Sequence, residues 1–264
     1  MKIAVNAKEL IVDGACAFVP TMGALHAGHA SLIKKAREYS DTVVVSIFIN
    51  PLQFENKDDL AKYPRTPEFD IELASQAGAT HVWLPTVDEI YPGEVQKISA
   101  GPLGDMYEGV NRPGHFDGVL TVVNRLFELV KPQWAIFGEK DFQQLTLIKS
   151  MKSDVEIIAA PTIRDSDGLA LSSRNVRLSD SKAALVIYRA LISASKEIDI
   201  DSAREVMQGV LASEAAFTLD YAEIINESNF EKAVQSDGRK RAIIAGWVNG
   251  IRLIDNMPMN GGAQ

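Results

Sequence analysis

Along this chain, short apolar runs rich in β-branched residues alternate with longer stretches in which apolar positions recur every three or four residues. The runs at 15–20 (ACAFVP), 42–49 (TVVVSIFI), 80–85 (THVWLP), 134–138 (WAIFG) and 155–163 (VEIIAAPTI) read as strands. Between them, 29–39 places Leu32, Ile33 and Ala36 on one helical face, and 116–130 does the same with Leu120, Val123, Leu126, Phe127 and Val130. Strands alternating with helices predict βα units on a parallel sheet. After the turn-forming DSDG at 165–168 the pattern changes. An Ala-rich helical stretch from Ser179 to about Ala215 is followed by two strand-like runs, LDYAEIIN and RAIIAGWVNGIRLIDN, which predicts a smaller α+β domain. The expected division is therefore 1–164 and 165–264, and MPMNGGAQ reads as a loose tail.

Composition narrows the class without changing this picture. The chain has 264 residues, 46% of them apolar and 23% charged, as in ordinary globular proteins. Lys and Arg number 27 against 35 Asp and Glu, and a net charge of −8 argues against nucleic acid as a partner. The single cysteine, Cys16, lies in an apolar run and has no disulfide partner, which fits a reducing compartment. The N-terminus has no signal-peptide pattern, and no run approaches the roughly 18 apolar residues of a membrane span, so a cytoplasmic protein is expected.

Three segments carry candidate chemistry, each directly after a predicted strand. In PTMGALHAGH (20–29) a strand runs through a turn into a helix, a place where free backbone N–H groups and the helix dipole favour an anion. Gly23 and Gly28 permit close backbone approach, and His26 and His29, three apart, can face one phosphate. The alternatives are incidental surface histidines or half of a metal site, for which the sequence supplies no third ligand. In GEKDFQQL (138–145), Lys140 offers a point charge to a phosphate, Asp141 an acceptor for ribose hydroxyls, and Gln144 an amide. Asp141 with Gln144 also has the form of a helix capping box. In GLALSSRN (168–175) two hydroxyls and Arg174 can close on a polyphosphate, or form a solvated turn.

The segments PTMGALHAGH, VVSIFINPLQF, YPRTPEFD, RPGHFDGVLTVV, FGEKDFQQL and GLALSSRN, in this order and spacing, resemble the pantothenate synthetase family of the HIGH-motif nucleotidyltransferases. The likeness runs from Ala15 to Arg177 and resumes at GWVNGIRLIDN (246–256). It implies a Rossmann-like α/β domain, a smaller α+β C-terminal domain that lids the site, and a homodimer. It also implies ATP-dependent joining of pantoate and β-alanine through a pantoyl-adenylate, with release of AMP and pyrophosphate.

Carried over by residue, the resemblance makes His29, His26 and Lys140 catalytic. It gives ATP to Met22, Gly23, His26, His29, Gly138, Lys140, Asp141, Ile163, Leu171, Ser172, Ser173 and Arg174, and pantoate to Gln53 and Gln144 with Asn50 nearby. It gives a water-mediated Mg²⁺ to Asp70. The lead-in before Pro20 is shorter than the strand and helix the family has there, so the first helix is expected to be missing or reduced. An adenylyltransferase would want a more cationic acceptor site than these neutral amides, an aminoacyl-tRNA synthetase an RNA-binding appendage, and a non-catalytic nucleotide sensor would have no need of the full set of His26, His29, Lys140 and Arg174.

Overall fold

The computed structural model describes residues 1–54, 60–178 and 181–259. The chain divides into two compact units, Met1–Thr162 and Ile163–Gln264.

The first unit is built on a six-stranded parallel sheet. Its strands are β1 (Lys2–Ala4), β2 (Ala17–Thr21), β3 (Val43–Ile47), β4 (His81–Trp83), β5 (Trp134–Gly138) and β6 (Glu156–Ala160), in spatial order β1-β4-β3-β2-β5-β6. Five of these six lie in the runs predicted from β-branched composition. β1, too short to show a period, pairs with β4 at the sheet edge. Residues 5–16 run through a turn and bends with no helix, so the first helix is missing.

Helix α1 (Ala27–Arg37) and helix α2 (Pro67–Ala77) cover one face of the sheet. Ile33, Ala36, Ala74 and Ala77 there pack on Val19, Val43, Val45, Val82 and Ile136. Helices α3 (His115–Val130) and α4 (Phe142–Lys149) cover the other, where Val119, Val123, Leu126, Phe127, Leu145 and Ile148 meet Phe18, Val44, Trp83 and Ala135. Both faces are thus buried, which is why the strands read as continuous apolar runs rather than as alternation. The basic last turn of α1, with Lys34, Lys35 and Arg37, complements its dipole. α2 was not anticipated, although Pro67 at its first turn and Gly78 in the left-handed region just past its end are ordinary start and stop signals.

The second unit packs helices α5 (Ser181–Ala194) and α6 (Ile200–Ala212) on an antiparallel sheet of β7 (Phe217–Asn226), β8 (Lys240–Val248) and β9 (Ile251–Pro258). Ala184, Ile187, Leu191, Ala203, Met207 and Leu211 meet Ile224, Ile244 and Leu253 in its core. The predicted single helical stretch is two helices, because the Asp199 carboxylate accepts from Ser202 N at 2.8 Å and starts a new one. Ser179 and the last residues of the predicted tail, 260–264, lie outside the described residues.

Candidate active site

In the parallel sheet, connections leave β2 toward β3 and leave β5 toward β6 on opposite sides, so the order reverses between these neighbours. Open α/β sheets bind ligands in the crevice at the carboxyl ends of the strands flanking such a reversal. The loop after β2 and the first turn of α1 carry Met22, Gly23, His26 and His29, and the end of β5 and the turn after it carry Gly138, Lys140 and Asp141. Lys140 and Asp141 are close enough to act electrostatically on both imidazoles.

The two histidines are locked by their own backbone. His26 Nδ1 accepts from Gly28 N at 3.1 Å, and His29 Nδ1 accepts from His26 N at 3.3 Å. The rings lie with centroids 4.2 Å apart. A ring nitrogen that accepts an N–H bond is unprotonated, so each neutral imidazole carries its proton on Nε2. Burial, then the Lys140 charge, lowers the His26 pKa to about 4. Burial, then His26, lowers that of His29 to about 3. The pair is a set of neutral Nε2–H donors, and the helix N-terminus that was expected to offer open N–H groups is partly capped by His26 itself.

Asp70 is 1% exposed and holds the loop. Its Oδ2 accepts from Ala24 N at 2.9 Å, and its Oδ1 from Leu25 N at 2.7 Å and from Thr66 Oγ1 at 3.1 Å. Gly23 (φ +83°) and Ala24 (φ +51°) are both left-handed, and a Cβ on Gly23 would lie 2.9 Å from Asp70 Oδ2. The resemblance gives Asp70 a water-mediated Mg²⁺, whereas its contacts here are to the loop and to Thr66. The carboxylate accepts three bonds from the chain and is all but closed to solvent, a geometry that suits holding the loop better than meeting a metal-bound water. Among the described residues no group of three or more His, Cys, Asp or Glu side chains could hold a metal ion.

Asn50, expected near the pantoate site, acts as a support for Gln53. Its Nδ2 donates to Gln53 Oε1 (3.1 Å) and Gly118 O (3.0 Å), and its Oδ1 accepts from Leu52 N (3.2 Å) and Tyr91 OH (2.8 Å), which saturates the amide. Gln53, held this way, donates from Nε2 to Met22 Sδ at 2.8 Å and so touches the histidine loop. Gln144 makes no side-chain hydrogen bond to any described residue. Asp141 stands at the N-cap position of α4 without a side-chain cap bond, so the capping box is not formed. Lys140 Nζ lies 3.9 Å from Asp141 Oδ1.

The remaining predicted residues belong to the second unit. Ile163 O accepts from Leu171 N at 2.9 Å, closing a small hairpin. Ser172 Oγ then accepts from Arg174 N at 3.3 Å in the turn that follows.

A family model described as pantoate-beta-alanine ligase matches residues 2–258. The chain belongs to the pantoate–β-alanine ligase family. It is 47% identical over 273 residues to the pantothenate synthetase of Acidothermus cellulolyticus, covering 96% of this chain and 88% of that one. The crystal structure of pantothenate synthetase from Thermus thermophilus matches with a TM-score of 0.93 at 40% identity, over 97% of this chain and 99% of that one. The pantoate-beta-alanine ligase of Francisella tularensis, crystallised with beta-gamma ATP and beta-alanine, matches with a TM-score of 0.80 at 36% identity, over 98% and 97%.

Two supporting residues of this family member were not singled out from the sequence. His115, 7% exposed, donates from Nδ1 to Gln53 O at 2.9 Å. Gln143, 6% exposed, accepts from Glu108 N at 3.2 Å and donates to Leu103 O and Met106 O, both at 2.8 Å, tying α4 to the segment before α3. Burial, then the Arg112 charge, lowers the His115 pKa to about 4, against an unfolded value near 6.5. As pH falls below 6.5 the unfolded chain takes up a proton that native His115 refuses. Stability is therefore full above pH 6.5 and lost progressively toward pH 4. Wild type should lose roughly 2 kcal/mol more than His115→Asn between pH 7 and 5. Urea unfolding at both pH values checks this, and equal losses would show that His115 titrates normally.

Proposed function

We propose that this protein condenses pantoate with β-alanine at the expense of ATP, through a pantoyl-adenylate, in pantothenate biosynthesis. The observation that carries the reading is the meeting of the His26/His29 loop and Lys140 at the β2/β5 reversal, in a chain matched to the ligase family over nearly its whole length.

In the first step a carboxylate oxygen of pantoate attacks the α-phosphorus and the bond to pyrophosphate breaks. In the second the amine of β-alanine attacks the acyl carbon, the bond to AMP breaks and the nitrogen loses a proton. No side-chain nucleophile is required, because the substrate carboxylate is the nucleophile. The protein's task is alignment, charge stabilisation and exclusion of water from the mixed anhydride.

Lys140 supplies the cation for the α-phosphate, where charge accumulates. His26 and His29 supply fixed Nε2–H donors, whose orientation is set before the substrate arrives. The neutral state of both rings favours hydrogen-bond donation over proton transfer. Gln53, whose carbonyl side is held by Asn50, and Gln144 offer amides to the hydroxy acid. Gly138 and Asp141 border the nucleotide. Ile163, Leu171, Ser172, Ser173 and Arg174 are assigned to ATP by the family resemblance, Arg174 as a bidentate fork for the triphosphate. Mg²⁺ accompanies ATP in this reading, and no step is routed through it.

Cys16 is buried and free, and its thiol pKa is pushed up to about 11 by burial, which suits a reducing cytoplasm. No helix among the described residues is long and apolar enough to cross a membrane. A homodimer is the expected assembly, and light scattering at micromolar concentration tests it. The activity is tested by incubating the protein with ATP, Mg²⁺ and D-pantoate, with and without β-alanine, and following AMP, pyrophosphate and pantothenate. Equal amounts of AMP and pantothenate, formed only when both acids are present, are expected. Nucleotide binding without turnover would point instead to a sensor.

A further inference from the structure

The C-terminal motif GWVNGIRLIDN resembles the family yet contributes no residue to the chemistry described above. Its Asp255, on β9, is 5% exposed. Its Oδ2 accepts from Arg164 Nη1 at 2.5 Å and its Oδ1 from Arg164 Nη2 at 3.0 Å, a two-bond fork across 91 positions of sequence. The same guanidinium donates to Gly168 O at 3.0 Å and Asn256 O at 3.3 Å, and it lies 4.9 Å over the Tyr188 ring of α5.

Arg164 stands in one arm of the hairpin that Ile163 and Leu171 close, bridged to Ala170 in the other arm. The hairpin is fitted tightly to the second unit. Leu169 is part of the unit's core, and a Cβ on Gly168 (φ +102°) would fall 2.1 Å from Tyr188 ring carbons. Beyond it the chain passes without a break into Leu171, Ser172, Ser173 and Arg174. Asn175 Nδ2 ties that turn back to Ala170 O at 3.0 Å.

From these contacts we propose that Arg164 and Asp255 are positioning residues for the ATP-binding turn Leu171–Arg174, so that the C-terminal strand sets where the Ser172 and Ser173 hydroxyls and the Arg174 fork stand. The proposal rests on the reading that this turn contacts ATP. A buried fork with both carboxylate oxygens occupied fixes the hairpin in position and in rotation, which a hydrophobic contact such as that of Leu169 does not. Displacing a group that must meet a phosphate by about 1 Å costs on the order of 100-fold in rate.

The test is steady-state kinetics of Asp255→Asn and of the milder Arg164→Lys, which keeps the charge and loses the fork. The control is Glu223→Gln, which removes the charge from the Arg204–Glu223 pair (2.8 Å) elsewhere in the same unit. Both hairpin variants are expected to lower kcat/KM for ATP by about 10- to 100-fold. The KM for pantoate should stay within about twofold, and Glu223→Gln should leave both values unchanged even where it lowers the unfolding midpoint.

Equal losses toward ATP and pantoate, or the same kinetic pattern in Glu223→Gln, would reduce the fork to general stability and overturn the proposal. Arg174→Ala separates the two levels. If it leaves the ATP dependence unaltered, the reading of the turn itself fails. If it raises the ATP requirement while folded Asp255→Asn and Arg164→Lys do not, only the positioning role fails.

Discussion

Lys140→Ala is expected to slow acyl-adenylate formation by about 10²- to 10³-fold, the size of effect seen when a preorganised donor to a developing charge is removed. Lys140 is the cation of the β2/β5 crevice that acts on both His26 and His29. Because its ion pair with Asp141 is long, at 3.9 Å, and Asp141 is half exposed, the loss of Lys140 should change unfolding free energy by only about 1 kcal/mol. The separation of a large kinetic loss from a small stability loss is the signature, read by pantoate-dependent exchange of pyrophosphate into ATP and by urea unfolding of the same preparation. A second consequence follows from electrostatics. The Lys140 charge contributes to holding both imidazoles neutral, so their protonation midpoints should rise in the variant, as followed by NMR. Near-normal exchange by a folded variant would remove Lys140 from the mechanism.

Asp70→Ala should have the largest effect on stability, roughly 3 to 5 kcal/mol. It removes the three bonds that the carboxylate accepts from Ala24 N, Leu25 N and Thr66 Oγ1, at a turn that is itself strained, with two successive left-handed residues. Activity should fall with it, because the loop so held is the one that presents His26 and His29. Raising Mg²⁺ should not restore that activity. Stability within about 1 kcal/mol of wild type, with activity recovered by excess Mg²⁺, would return Asp70 to the metal and refute its role in the loop.

Both predictions turn on what was legible before the fold was known. His26, His29 and Lys140 follow strands whose β-branched runs are plain in the sequence, and strand-end position in a parallel sheet marks a ligand site on general grounds. The sequence also left the capping alternative for Asp141 and Gln144 open, and only geometry removed it. Asn50 shows the opposite outcome. Its amide is fully satisfied, so it holds Gln53 and has nothing left for a substrate, which the sequence does not show. His115 sat in a recognised motif without a role, since nothing local tells that its ring meets a carbonyl 62 positions away.

By itself, then, the sequence determined the parallel α/β layer, the smaller α+β part and the strand-end loops that bear the candidate phosphate-binding side chains, because periodicity and turn chemistry are local properties of the chain. Tertiary structure alone decided which partner each polar group found. The carboxylate of Asp70 reaches back 46 residues to Ala24, and Arg164 reaches forward 91 to Asp255. Such pairings depend on which helix lands beside which strand, and a buried charge takes whatever donor or acceptor packing brings within about 3 Å.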